Sequence, residues 1–325
     1  MQVRERNWPK YNASQVHEAT NVLILLQELC TGVNDPTYVF GRPAFALADI
    51  LFAMVLKVYG NKPARKYMDE LMRAHQQGLI SKVPCYNSVF HYFDSDAITP
   101  HLRELIIESS KVLSGIETIF AVDSTGFSIR RLGSWMGTRF EKAKMIEGRA
   151  WIKVHLMCGV LTNVVTAVEI SDGHAGDSPF FKILYKTTAR HFAIKEVSAD
   201  KAYSSLENLR LVTKNKGIPF IPFKSNARGE HRTKDPLWTI LYHLFSMNPV
   251  WFHSHYHKRS NVESTFSMIK RKFGEFLRSR THTAQVNEAL CKVLCHNLCV
   301  INDCLFQMGL EPEFWQEKGD KAKAS

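Results

Sequence analysis

Near Gly115 the hydrophobic period of the chain changes, and this switch limits the possible folds more than any other feature. Before it, apolar residues recur at helical spacing. SQVHEATNVLILLQELC (residues 14–30) shows such a face and stops before Thr31 and Gly32. RPAFALADILFAMVLKVYG opens near Pro43, closes at Gly60 and is apolar nearly all round, which predicts a buried helix. NKPARKYMDELMRAHQQG repeats the Pro-start, Gly-stop pattern, and shorter helices are expected at residues 86–93 and over TPHLRELIIESSKVLSG. Short helices joined by tight turns suit a helix-turn-helix DNA reader, and they suit an ordinary helical bundle equally well. After Gly115 the residues become β-branched and aromatic. IETIFAVDSTGFSI reads as a strand, with Asp123 to Gly126 as punctuation. WIKVHLMCGVLTNVVTAVEI reads as two strands about Leu161-Thr162-Asn163, and IKEVSAD as a strand ending on an acid. Helices are expected over SPFFKILYKTTARH and SSLENLRLVTKNKG, and IPFIPF reads as a short edge strand because of its Pro. Strands first and then strand–helix–strand predict an α/β fold, a mixed sheet with helices against it, preceded by an all-helical region.

Charge narrows the partners. Forty-two Lys and Arg against 31 Asp and Glu give a net charge of +11, which favours a polyanion. A membrane surface is the weaker option, because AFALADILFAMVL is too short to span and carries Asp49. MQVRERNWPK lacks the apolar region of a signal peptide. Seven cysteines, an odd number in a long chain, fit reduced thiols in a cytoplasmic protein.

Three acids stand out. Asp123 and Asp200 are read at the C-terminal ends of apolar strands, and Glu263 lies on a late helix. Carboxylates at neighbouring strand ends, with a helix acid packed across them, can converge. Such a set, without His or Cys, suits hard cations such as Mg²⁺ or Mn²⁺. Each acid also has a plain explanation: a turn residue for Asp123 and Asp200, a surface ion pair for Glu263. On one continuous helix over YHKRSNVESTFSMIK, Tyr256, Arg259 and Lys270 would share the face of Glu263, at about 100° per residue. That stripe reads either as a solvated face with an Arg259–Glu263 pair or as a carboxylate for metal beside groups for phosphate. Seven Lys or Arg between His253 and His282, including Lys258, Arg271 and Lys272, face two acids there, an excess that fits phosphate neutralisation.

Other clusters favour plainer readings. HSHYH is a weak zinc match, and Cys291, Cys295 and Cys299 share a helix face as core residues do. Asp172, His174 and Asp177 sit among turn glycines, while Trp135, Trp238 and Trp251 suit core or interface.

AVDSTGFS, then VSADKAYSS, then Tyr256-x2-Arg259-x3-Glu263-x6-Lys270 resemble the successive signatures of the DDE transposases of bacterial and archaeal insertion sequences, in the group with the Y-R-E-K signature. EISDGHAGDSPFFKILY resembles the segment after the third strand, with Asp177 where an acid is common. The resemblance is loose outside the three blocks and extends over most of residues 40–290. Ala202 stands where many relatives have Gly. The resemblance implies a ribonuclease-H-like core in which Asp123, Asp200 and Glu263 hold two Mg²⁺ or Mn²⁺ ions. It also implies that Tyr256, Arg259 and Lys270 contact the phosphates of the element end. The expected reaction is metal-dependent hydrolysis at terminal inverted repeats, followed by strand transfer into target DNA. The expected setting is a homodimer on double-stranded DNA, in the cytoplasm with the nucleoid and away from membrane. Rival readings are a nuclease on the same core, and a decayed or domesticated copy that binds DNA without cutting it. The expected division is residues 1–114 as an end-binding helical domain, 115–310 as the catalytic domain with a basic insertion around 224–252, and 311–325 as a polar tail.

Overall fold

Strand β1 (Ile119–Ile129) organises the sheet. It pairs antiparallel with β2 (Trp151–Gly159), which pairs antiparallel with β3 (Val165–Asp172). On its other edge β1 runs parallel to β4 (Glu196–Ala199), which runs parallel to the edge strand β5 (Ile218–Phe220). The order β3-β2-β1-β4-β5, with β6 (Phe276–Leu277) added beside the end of β1, is that of a ribonuclease-H-like mixed sheet. The computed structural model describes residues 7–35, 45–129, 151–231 and 233–316. The Pro43 helix start, Trp135, Arg232 and the polar tail from Glu317 lie outside the described residues.

The chain forms two compact units, residues 114–279 and residues 1–113 with 280–325. In the first, helices α6 (Ser178–Ala189) and α7 (Leu206–Lys214) follow β3 and β4. Phe181, Leu184, Leu209 and Val212 from these helices pack with Phe120, Val122 and Met157 of the sheet. Helices α8 (Pro236–Met247) and α9 (Pro249–Tyr256) come after β5, and α10 (Ser260–Phe273) follows a 3-10 turn at His257–Arg259. Val262, Phe266 and Ile269 are the buried stripe of α10.

The helical unit contains α1 (Trp8–Thr31), α2 (Leu47–Tyr59), α3 (Ala64–Gln76), α4 (Tyr86–Phe93), α5 (Ile98–Lys111) and α11 (His282–Met308). The sequence reading assigned α11 to the catalytic domain, because it follows that domain along the chain. Here it packs instead with the N-terminal helices. Asn297 Nδ2 donates to the Ile106 carbonyl at 3.3 Å and to Ser109 Oγ at 3.0 Å. Asn302 Nδ2 reaches the Ser14 carbonyl at 3.1 Å. Buried amides need such partners, so they fix the register of α11 on α5 and α1. Cys291 and Cys295 are buried in this packing, and neither is in a disulfide. Among the described residues, α11 alone is long and apolar enough to cross a membrane, and most of it is buried in this unit.

Candidate active site

Asp123 is in the middle of an 11-residue strand, where the sequence reading had placed the end of one. Gly126 does not stop β1, because β2 continues opposite it, with Lys153 as its partner, and the Trp151 side chain covers it. Asp200 does follow the last residue of its strand and caps a 3-10 turn, its Oδ1 accepting from the Lys201 N–H at 2.6 Å. The parallel register of β1 and β4 pairs Val122 with Ala199. The next residues are Asp123 and Asp200, so the two acids leave neighbouring strands side by side, about 4.8 Å apart in the pairing direction.

Glu263 comes from α10. Its carboxylate lies in the first turn, where the helix dipole favours an anion. Arg259 links it to β1: Nη1 donates to Asp123 Oδ2 at 2.5 Å and Nη2 to Glu263 Oε1 at 2.6 Å. Burial works against the guanidinium charge, but Asp123, Tyr256 and Glu263 outweigh it and raise its pKa. Burial also raises the Asp123 pKa. The charges of Asp200 and Glu263 add to that rise, while the Ser124 N–H and Arg259 oppose it. Asp123 therefore feels both other acids, and one planar cation spans it and Glu263.

The helix over residues 256–270 is not continuous. α9 ends at Tyr256 and α10 begins at Ser260, with the 3-10 turn between them. Tyr256 still meets Arg259, whose guanidinium carbon is 5.9 Å from the ring centroid. Lys270 donates to Thr125 Oγ1 at 2.7 Å and lies 5.3 Å from the Phe127 ring centroid, and burial lowers its pKa. Lys258 donates to Glu196 Oε2 at 2.7 Å, and His255 Nδ1 meets the same oxygen at 2.9 Å. Arg271 and Lys272 are exposed on the last turn of α10. Trp251 packs near Phe220, and Trp238 near Phe223 with its indole N–H on the Arg228 carbonyl.

Sequence reasoning passed over Ser124 and Thr125. Strand alternation could have found them. Asp123 and Thr125 point to the α10 face, where Arg259 and Lys270 meet them, and Ser124 points to the other. There Ser124 Oγ donates to Asp177 Oδ1 at 2.7 Å, and Lys153 Nζ meets the same oxygen at 2.6 Å. His155, fully buried, stacks on Phe180 with ring centroids 4.0 Å apart, and burial lowers its pKa to about 4. The unfolded chain binds a proton near pH 6.5, where the folded chain does not. The contribution is therefore fully present above pH 6.5 and is lost as pH falls toward 4. A His155→Phe variant is expected to lose less melting temperature than wild type between those pH values. An equal loss in both would remove His155 as a source of acid sensitivity.

The family model for the transposase DDE domain matches residues 114–298. The chain belongs to the DDE transposase family. The protein described as "Probable transposase for insertion sequence element ISA1214" of Archaeoglobus fulgidus is 23% identical over 216 residues, covering 66% of this chain and 63% of that protein. The chain thus matches a little under two thirds of that transposase's length. A cryo-EM structure of the piggyBac transposase synaptic complex with hairpin DNA matches with 9% identity and a TM-score of 0.40, over 94% of this chain and 76% of that one.

DDE transposases in general depend on divalent metal ions. Among the described residues, no three His, Cys, Asp or Glu side chains stand close enough to hold an ion together. The donor chemistry nonetheless fits: three carboxylates, with the charges of Asp200 and Glu263 bearing on Asp123, and with Asp123 and Glu263 sharing a cation in the form of Arg259. All-oxygen donor sets suit Mg²⁺ and Mn²⁺.

Proposed function

We propose that the chain is an insertion-sequence transposase that binds terminal inverted repeats, hydrolyses a phosphodiester at the element end and joins the freed 3′-hydroxyl to target DNA. The observation that supports this reading is a parallel register that sets Asp123 beside Asp200 in sequence order on neighbouring strands, with Arg259 joining Asp123 to Glu263. These three residues would hold two Mg²⁺ or Mn²⁺ ions. Such a pair activates the attacking oxygen and stabilises the leaving one.

The chain's own basic groups position the strand. Arg259 presents a fork suited to a phosphate, with Tyr256 against it and Lys270 braced by Thr125. Arg271 and Lys272 extend the positive surface along α10. Lys258 belongs to it less directly, being held by Glu196. In this reading the helical unit recognises the repeat, and its short helices joined by tight turns support that. Asn87, Phe90 and His91 are exposed on one of them, α4. Bringing two ends together implies a homodimer on DNA, acting in the cytoplasm at the nucleoid.

The test is incubation with a labelled end fragment and Mn²⁺, followed by sizing of the products. Cleavage at the repeat boundary and joined products are expected, with an Asn87→Ala, His91→Ala variant losing preference over a scrambled end. Cutting without joining would favour the nuclease rival. Binding without cutting would favour a decayed copy. Full end preference in the variant would take recognition off the exposed face of α4.

A further inference from the structure

The strand segment that carries Asp123 is held along one edge. β2 pairs with β1 from Phe120 through Ser128. On the opposite edge β4 stops at Val122 and β6 starts at Ser128. Residues 123–127 therefore border a gap in the sheet. Backbone pairing alone leaves that segment less constrained than its neighbours, and side-chain tethers must fix it. On the α10 face Arg259 and Lys270 bind Asp123 and Thr125 directly. On the opposite face Ser124 is tethered to Asp177.

We propose that Asp177 is a positioning residue for the reaction, acting through Ser124 to fix the place and direction of the Asp123 carboxylate. This rests on the reading of Asp123 as a metal-holding acid. Asp177 Oδ1 gathers Ser124 Oγ at 2.7 Å and Lys153 Nζ at 2.6 Å, with His155 Nδ1 at 3.4 Å. Three strand or helix-start elements are thereby joined at one oxygen: β1, β2 and the N-terminus of α6. Burial alone would raise the Asp177 pKa, but the hydrogen bonds from Lys153 and Ser124 and the nearby charges outweigh it and keep the carboxylate ionised. His155 is held on both sides, by Phe180 and by Ser171 Oγ at 2.8 Å from Nε2, so it forms a fixed wall to the cluster.

The same buried region reaches the second acid. Tyr203, in the turn that follows Asp200, is fully buried. Burial raises its pKa, the charges of Asp177, Asp123 and Asp200 raise it further, and a hydrogen bond with Ser124 opposes the rise. Groups that orient metal ligands in this way typically change metal affinity or activity by about 10- to 100-fold when removed.

Ser124→Ala removes the donor and leaves the packing, and Ser124→Thr keeps a hydroxyl on a strand-compatible side chain. Asp177→Ala removes the acceptor. Mn²⁺ affinity is read from the paramagnetic resonance signal of free Mn²⁺, cleavage of an end fragment gives kcat and KM, and melting is followed in parallel. Ser124→Ala and Asp177→Ala are expected to weaken Mn²⁺ binding and lower kcat by about 10-fold or more, with KM and melting near wild type and with Ser124→Thr restored. Wild-type Mn²⁺ affinity and kcat in Ser124→Ala would overturn the proposal. So would losses that follow melting temperature and are not restored by Ser124→Thr. A wild-type protein that neither binds Mn²⁺ nor cuts would instead sink the active-site reading, and this proposal with it.

Discussion

Replacing Asp123 by Asn, Asp200 by Asn or Glu263 by Gln is expected to abolish cleavage while leaving affinity for the element end nearly unchanged. Each change keeps the shape of the side chain and removes its charge. A metal clamp stabilises the transition state by several kcal/mol, so losing one of three ligands should cost about 10³-fold or more, at tenfold per 1.36 kcal/mol. Binding should survive because these residues are acids, and they repel phosphate. Stability should not fall much in Asp123→Asn. The native carboxylate is half-buried, and the charges of Asp200 and Glu263 disfavour its ionised form. The decisive comparison is single-turnover cleavage against end-fragment binding for each variant. Wild-type cutting by Asp200→Asn would remove Asp200 from the site. Equal loss of binding and cutting would point to a folding defect.

Arg259 carries the second large effect, and its geometry makes a sharper prediction than its sequence position could. Sequence alone offered a local pair with Glu263, worth about 0.2–0.5 kcal/mol. The observed guanidinium also bonds Asp123, 136 residues away. A guanidinium that neutralises two acids competes with any cation they would take up. Without DNA, Arg259→Ala is therefore expected to bind Mn²⁺ more tightly than wild type. With end DNA it is expected to bind and cut less well, because the phosphate fork is gone. The salt dependence should lose about 0.9 in slope for one missing phosphate contact. Arg259→Lys should behave like Arg259→Ala in cleavage, since an ammonium cannot fork between two oxygens. The measurements are Mn²⁺ titration without DNA and end-fragment affinity across a salt series. An unchanged slope together with a lower melting temperature would make Arg259 a brace of the fold and nothing more.

Lys270 separates the two roles on the same helix. The sequence suggested a free reach to phosphate, whereas its ammonium is braced by Thr125 and half-buried. A lysine held in place loses less side-chain freedom on meeting a phosphate than a freely moving one, because that entropy has already been lost on folding. Thr125 thereby matters to Lys270 as Asp123 does to Arg259, and strand alternation puts both on the same face of β1.

Local information in the sequence determined a good deal. Hydrophobic period located the helices before Gly115 and the strands after it, since burying one face of a helix or a strand imposes its own spacing. Chain order along strand, helix and strand pointed to a mixed sheet, and the Pro in IPFIPF put β5 at an edge, where a missing N–H costs least. The three acids and the basic neighbours of Glu263 were legible as types at fixed spacings. Tertiary structure decided the rest. It carried β1 past Gly126, because a partner strand continued opposite, and so placed Asp123 within a strand. It brought Asp123 beside Asp200 through a parallel register that no local pattern encodes. It interrupted the predicted helix with a 3-10 turn at residues 257–259, yet returned Tyr256 to Arg259. It also placed α11 with helices nearly 300 residues earlier, where Asn302 meets Ser14. The physical reason is the same throughout: periodicity reports which face of an element is buried, while the identity of the partner that buries it depends on contacts between distant parts of the chain.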